Sequence, residues 1–454
     1  MAAVDSHRAP TNSSEATART NTGKLTFLPL VIATFFMVSG GTYGTEDIVH
    51  GAGYGGAILV LLVTPLLWSL PTALMIGELA SAIPAEGGFY VWVRQAMGRF
   101  WGFQEAWLSL VASIFDMAIY PTLFVAYLVR LFPWFDVGHR GLLVGLAVVV
   151  ACALLNLAGI QVVALTSVWL FVLLSAPFVA ITALALFKPG GLAGAVTHPT
   201  TSHIDIVGAV LVAMWNYMGW DNASTIAGEV QQPQRTYPRA MLAAVALVAL
   251  SYIVPVSAMS LTKLSPSAWD TGSWADIAGL LGGPVLRVAL VAGGMMSAFG
   301  MFNALVLSYS RLPYAMALDG MLPRAFARLT SHTRVPWVSV VVLATAWALC
   351  LGLGFERLVT IDILIYGTSL LLEFVALAVL RFTRPDVPRT FVVPGGKLGA
   401  ALVGVCPMLL LGFSVYASQS ERILGMNGLV FGAILIVAGF VAFSASALFK
   451  RKAI

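Results

Sequence analysis

The sequence predicts an all-α integral membrane protein with twelve transmembrane helices, and three observations predict it. Of 454 residues, 59% are hydrophobic and only 10% charged, with a mean hydropathy of +0.90. Soluble domains carry roughly 25% charged residues, so this chain has too little polar surface to face water. Apolar stretches of the ~20 residues that one bilayer crossing takes recur from Leu25 to Lys450. Two of those stretches are interrupted in corresponding places.

Taken in order, the predicted spans are Thr26–His50, Tyr54–Ile83, Trp101–Leu131, Gly141–Leu157, Val163–Phe187 and Ile206–Gly228, then Arg239–Leu261, Pro284–Met316, Val338–Leu353, Leu358–Leu380, Leu398–Tyr416 and Gly428–Leu448. Residues 1–24 are polar and lack the basic start and apolar core of a secretory signal, so they are expected to form a disordered cytoplasmic tail. If the N-terminus is cytoplasmic, eighteen of the 25 Lys and Arg residues fall in inside segments and seven outside. That bias predicts both termini inside.

The first span holds Ser39-Gly40-Gly41-Thr42-Tyr43-Gly44 in its middle, and the sixth holds Asn216-Tyr217-Met218-Gly219-Trp220-Asp221. Such runs leave backbone groups unpaired in hydrocarbon unless a cavity or ligand satisfies them. Spans one and six are five apart, as two inverted five-helix repeats produce, and matched broken helices point to a binding site near the midplane. Close helix packing through glycine is the competing explanation. The chain then divides into a first repeat, 25–187, a second repeat with its preceding outer loop, 188–381, helices eleven and twelve, 382–449, and a cytoplasmic C-terminus, 450–454.

Glu46, Asp47, Glu78, Asp116, Asp221, Glu229, Asp362 and Glu373 fall within or at the ends of predicted spans, with few basic residues at comparable depth. Ionisable groups in a membrane mark ion or substrate routes, and an acidic excess favours a cationic solute, a proton relay, or both. Asp221, at the break of span six beside Trp220, suits an ammonium ion, with cation–π support from the ring; it also suits an N-cap. Glu46 follows the other break. Glu78 and Glu229, near cytoplasmic helix ends, suit gating ion pairs. Glu373 suits proton coupling, although Arg381 two turns on makes a structural pairing possible. Asp116 and Asp362 rank lower, because an uncertain span end places either in water. Tyr43, Tyr217, Trp220 and Tyr366 are candidates for the site lining, with Asn216 as a polar contact.

The other chemistry classes find no residues to carry them. HExxH, GxSxG and GxxxxGK[ST] motifs are missing from the sequence, so neither an enzyme nor ATP-driven transport is expected. Cys152, Cys350 and Cys406 sit in apolar runs as packing residues. No metal, cofactor, nucleic-acid partner or accessory subunit is expected; the expected partners are the lipid bilayer, a small amine or amino acid, and protons.

Four motifs carry a resemblance. Pro71, Glu78-Leu79, Pro84, Gly87-Gly88 and Tyr90 are similar to the second span and first inner loop of the amino acid–polyamine–organocation superfamily. Gly228-Glu229-Val230 through Pro233, Arg235, Pro238 and Arg239 resembles its exit from span six. Arg311-Leu312-Pro313 with Asp319-Gly320-Met321-Leu322-Pro323 resembles the loop after span eight. Leu380-Arg381 through Arg384-Pro385-Asp386 and Val393-Pro394-Gly395-Gly396 resembles the loop after span ten.

The resemblance implies the LeuT-type fold of five-plus-five inverted repeats with two extra helices, working as a secondary active transporter by alternating access. The chain looks most like the polyamine uptake and L-type amino acid transporter-like branch, on Ser39 through Asp47, Trp215-Asn216, Trp220-Asp221 and Ser175-Ala176-Pro177-Phe178. It departs from some members in having no lysine between Val163 and Phe187. The expected solute contacts are Ser39, Gly40, Gly41, Thr42, Tyr43, Glu46, Asn216, Tyr217, Gly219, Trp220, Asp221 and Tyr366. Glu78, Asp221, Glu229 and Glu373 are expected to serve proton coupling or gating. Proton-coupled movement of polyamines or related amines across the inner or plasma membrane is the expected function, with an amino acid permease or exchanger as the alternative.

Overall fold

The computed structural model describes residues 24–195, 204–351, 355–417, 419, 422–423 and 426–451. Residues 1–23, 196–203 and 452–454 lie outside them, and with them most of the expected N-terminal tail. The described chain is helical, apart from two isolated backbone bridges and one two-stranded hairpin, Arg422–Ile423 with Met426–Asn427.

The first apolar run forms α1 (Phe27–Val38) and stops where glycine takes over. Gly41 and Gly44 adopt φ of +76° and +89°, a left-handed region that costs other L-residues energy. The chain re-enters a helix at α2 (Glu46–Thr64), kinked at Gly53, and runs through a π-helical turn into α3 (Leu70–Ala82). A short α4 (Gly88–Met97) fills the following loop. Next come α5 (Arg99–Leu131), α6 (Arg140–Leu157) and α7 (Ile160–Phe187). The sixth apolar run becomes α8 (Ile206–Asn216) and then irregular 3₁₀ turns over Trp220–Thr225 and Ala227–Glu229. The chain continues with α9 (Pro233–Ser260), α10 (Trp274–Leu318, kinked at Gly283), α11 (Trp337–Leu349) and α12 (Phe355–Thr383). It ends with α13 (Gly396–Leu402), α14 (Val405–Ala417) and α15 (Gly428–Arg451).

Among the described residues, nine helices are long and apolar enough to cross a membrane. The predicted twelve differ from these nine at spans one, six and nine. Spans one and six are cut by their breaks into pieces too short to count, and span nine is helical over only 13 residues. The kinks at Gly53 and Gly283 fall next to Tyr54 and Pro284, where the sequence predicts spans two and eight to begin.

The layering follows from what each helix faces: lipid accepts an apolar surface on every side, and polar and ionisable residues are turned to the interior. The apolar stretch of α10 is 78% buried, that of α12 67% and that of α5 61%, whereas α13 with α14 is 22% buried and α15 17%. Helices α5, α10 and α12 therefore form the interior; α10 packs along α5 and α7, and α12 along α5.

Candidate functional site

The two breaks face each other across a cavity of about 820 Å³, and their backbone groups, which lack helical partners, are satisfied by side chains around it. At the first break Ser39 Oγ accepts from the Gly41 N–H at 3.0 Å, and Ser297 Oγ on α10 donates to the Gly40 carbonyl at 2.5 Å. The Thr42 carbonyl accepts from Trp274 Nε1 at 3.2 Å, and Asn216 Nδ2 crosses the gap to the Gly44 carbonyl at 3.0 Å. At the second break Tyr252 donates to the Asn216 carbonyl at 2.7 Å, Trp220 Nε1 to the Tyr217 carbonyl at 2.8 Å, and Tyr237 to the Ala223 carbonyl at 2.6 Å. The Tyr366 hydroxyl on α12 accepts from the Gly219 N–H at 3.1 Å and donates to Asp221 Oδ1.

Asp47, Asp116, Asp205 and Asp362 lie on the wall, and no lysine or arginine is among its described lining residues. Aromatic faces come from Tyr43, Tyr120, Tyr127, Trp215, Tyr309 and Tyr366. The cavity opens beside His50, Asp205 and Thr271, at the opposite end of the molecule from Leu25, whose N–H donates to the Glu229 carbonyl at 2.9 Å. Its chemistry is that of a mouth for cations, since a concave acidic wall of low dielectric concentrates positive charge.

The amino acid permease family model matches residues 31–446. The chain belongs to the amino acid permease family. It is 34% identical over 414 residues to polyamine transporter RMV1 of Arabidopsis thaliana, covering 91% of this chain and 84% of that one. It is 33% identical over 415 residues to polyamine transporter PUT1 of Oryza sativa subsp. japonica, covering 90% and 77%. The serine/threonine exchanger SteT of Bacillus subtilis is 27% identical over 394 residues, covering 82% and 86%.

In this permease the candidate residues divide between wall and support. Gly40, Tyr43, Asn216, Gly219 and Tyr366 line the cavity. Ser39, Gly41, Thr42, Tyr217 and Trp220 do not; they stand behind the wall and hold the breaks, with Thr42 Oγ1 donating to the Ser251 carbonyl at 2.6 Å and Tyr217 to the Leu61 carbonyl at 2.9 Å. Glu46 is fully buried and also stands behind the wall. It accepts from Gly44 N–H at 2.6 Å, Gly272 N–H at 3.2 Å and the Tyr127 hydroxyl at 3.2 Å, tying the first break to the loop before α10 and to α5. Asp221 sits one hydrogen bond behind the wall, through Tyr366.

Two expectations are corrected. Asp116 and Asp362 are not at span ends in water: both are buried on the cavity wall, and Asp116 accepts from Tyr120 at 2.7 Å. Arg381 does not pair with Glu373, because eight residues of helix separate the two by about 12 Å; it is bound to Glu78 instead. Tyr120 and Tyr127 went unnoticed in the sequence, although Asp116, Tyr120, Leu123 and Tyr127 repeat at intervals of four, three and four, the spacing of one helix face.

The end away from the mouth is closed by ion pairs. Glu78 is fully buried, accepts from Arg381 Nη2 at 2.5 Å and Val393 N–H at 2.8 Å, and forms an ion pair with Arg389 Nε at 3.2 Å. Arg311 Nε donates to Glu229 at 2.9 Å. Arg94 pairs with Asp319, which also accepts from Tyr90 at 2.8 Å. In the loop beside them, burial raises the Glu86 carboxyl above the ordinary range; the Glu229 charge adds to this, and Arg311 and Arg334 oppose it.

Gly219 gives a direct test of the second break. Its φ is +90°, and a Cβ there would strike the Met37 carbonyl oxygen of α1. Gly219→Ala is expected to cost at least ~1–2 kcal/mol from the backbone conformation alone. Detergent-solubilised protein should melt several degrees lower; an unchanged melting temperature would show that this contact between the breaks is slack.

Proposed function

We propose that this protein is a secondary active transporter that imports polyamines or related cationic amines, driven by protons, by alternating access. The observation that carries this reading is the cavity wall, with Asp47, Asp116, Asp205 and Asp362 on it and Asp221 behind Tyr366, and no lysine or arginine among its described lining residues. Ammonium groups pair with the carboxylates, and the faces of Tyr43, Tyr120 and Trp215 add cation–π attraction. The relatives named as polyamine transporters support the same solute class.

The proposed frame is the twelve-span, five-plus-five arrangement in the plasma or inner membrane, with both termini cytoplasmic. The mouth beside Asp205 then faces outside, and Glu78, Glu229 and Asp319 hold the cytoplasmic end shut. Solute contacts come from Gly40, Tyr43, Asn216, Gly219 and Tyr366 with the wall carboxylates. Asp221 and Glu373 handle the proton, and the chain works without an accessory subunit.

An amino acid permease or exchanger is the second reading, supported by the serine/threonine exchanger relative. An amino acid's carboxylate needs unoccupied backbone N–H groups at a helix break. Here the Gly41 N–H donates to Ser39 Oγ and the Gly44 N–H to Glu46, which supports the amine reading over it.

Uptake into proteoliposomes under an inward proton gradient tests both, using labelled putrescine, spermidine, arginine and leucine with and without a protonophore. Amine accumulation of about tenfold per pH unit for each proton carried is expected, and it should collapse with the protonophore. Accumulation or exchange of leucine without amine uptake would replace the first reading by the second.

A further inference from the structure

Beyond the cavity, α5 and α12 bury a second acidic site, and neither of its glutamates is among the described lining residues. Glu105 on α5 and Glu373 on α12 are both fully buried. Ser369 Oγ donates to Glu105 Oε1 at 2.5 Å. Glu105 Oε2 and both carboxyl oxygens of Glu373 meet no protein hydrogen-bond partner among the described residues. Tyr366, Ser369 and Glu373 follow each other at intervals of three and four on α12, so one helix face runs from the hydroxyl that holds Asp221 to the carboxyl of Glu373.

The charges that reach Glu373 are those of Asp221 and Glu105, with the Tyr366 hydroxyl on its own helix. No lysine or arginine forms an ion pair with either glutamate among the described residues. The arginines that come nearest along the chain or on packed helices are taken: Arg99, six residues before Glu105 on α5, donates to the Asp319 carbonyl at 3.0 Å, Arg94 on α4 pairs with the Asp319 carboxylate, and Arg381 and Arg389 bind Glu78 on α3. Lys397, on α13, lies over the Phe382 ring.

Two ionised carboxylates cannot stand together, desolvated and without a cation; such a pair keeps at least one proton. An apolar substitution would serve packing better than either glutamate if packing were all that was needed.

We propose that Glu105 and Glu373 form a shared-proton pair that holds the transported proton, separate from the carboxylates that hold the amine. This rests on the proton coupling proposed above. When an ammonium group arrives, the O–H bond of the protonated Asp221 carboxyl breaks and one forms on the ionised member of the pair. Asp221 is left ionised behind Tyr366, where its charge favours an ammonium group on the cavity side of the tyrosine hydroxyl, and the proton has moved off the cavity along α12. Solute and proton then occupy different sites at once, as co-transport requires.

Infrared difference spectra and transport test the pair together, on wild type, Glu373→Gln, Glu105→Gln and Glu373→Asp. Wild type is expected to show a protonated-carboxyl C=O band at neutral pH that is lost or shifted in both glutamine variants and kept in Glu373→Asp. Spermidine binding, read as thermal stabilisation, should persist in the glutamine variants, because neither residue lines the cavity. Their gradient-driven accumulation should fall at least tenfold, with Glu373→Asp recovering part of it.

A wild-type spectrum without that band, or glutamine variants that keep it unshifted, would overturn the shared proton. Glutamine variants that accumulate amine as wild type does would overturn its coupling role. If wild type itself shows no gradient-driven uptake, the coupling falls with the functional reading, while the band still decides whether the pair holds a proton.

Discussion

Glu78→Ala is expected to destabilise the protein by about 3–5 kcal/mol, the usual cost of removing one partner from a buried ion pair. The carboxylate it deletes is fully buried and holds two guanidiniums and one backbone N–H. The expense is not the lost attraction but the two arginines left behind in a dry site. Denaturation in detergent reads the loss. Glu78→Gln, which keeps the shape and removes the charge, should cost nearly as much, and Glu78→Gln with Arg381→Gln should recover part of it. A Glu78→Ala protein that melts with wild type would mean that the arginines find water, and that this end is not shut as described.

Asp221→Asn is expected to reduce spermidine uptake by about two orders of magnitude, in line with the 2–5 kcal/mol lost when one member of a buried charged pair is neutralised. Asparagine can still accept from Tyr366, so the tyrosine and the Gly219 N–H it receives should stay in place. Tyr366→Phe makes the complementary test: the charge remains and its link to the cavity goes, so a smaller loss is expected. Normal uptake by Asp221→Asn would remove this residue from solute and proton handling alike and leave it as the cap of the turn.

How far the sequence reveals this molecule depends on the range of the interaction. The breaks are legible because glycine is a local signal: Gly40, Gly41, Gly44 and Gly219 interrupt apolar runs, with polar residues gathered beside them. The acids are legible as a set, since any carboxylate in hydrocarbon stands out. Their partners are not. Glu78 and Arg381 lie 303 residues apart, and no local pattern says that Arg381 turns to Glu78 and leaves Glu373 alone. Proximity along the helix favours Glu373, and two turns of rise defeat it. The roles at the first break also change on folding. Ser39 and Glu46 have the chemistry of ligands, but the amides freed by the break claim them first, and the Thr42 hydroxyl turns to the Ser251 carbonyl. The Asp116–Tyr127 face was there to be read by its period, hidden only because the aromatic residues in it count as apolar.

That face has a further consequence. Asp116 on α5 and Asp362 on α12, with Asp47 and Asp205 towards the mouth, set carboxyl groups along the cavity wall instead of gathering them at one point. A solute with several ammonium groups on one carbon chain, once held at one carboxylate, presents its next group to the neighbouring one at an effective concentration set by the chain between them. Each added ammonium then strengthens binding without any new surface on the protein. A wall of this kind ranks solutes by valence and charge spacing more than by outline, so tetra-amines should outcompete triamines and triamines diamines, while a bulky monoamine that fills the same volume gains little.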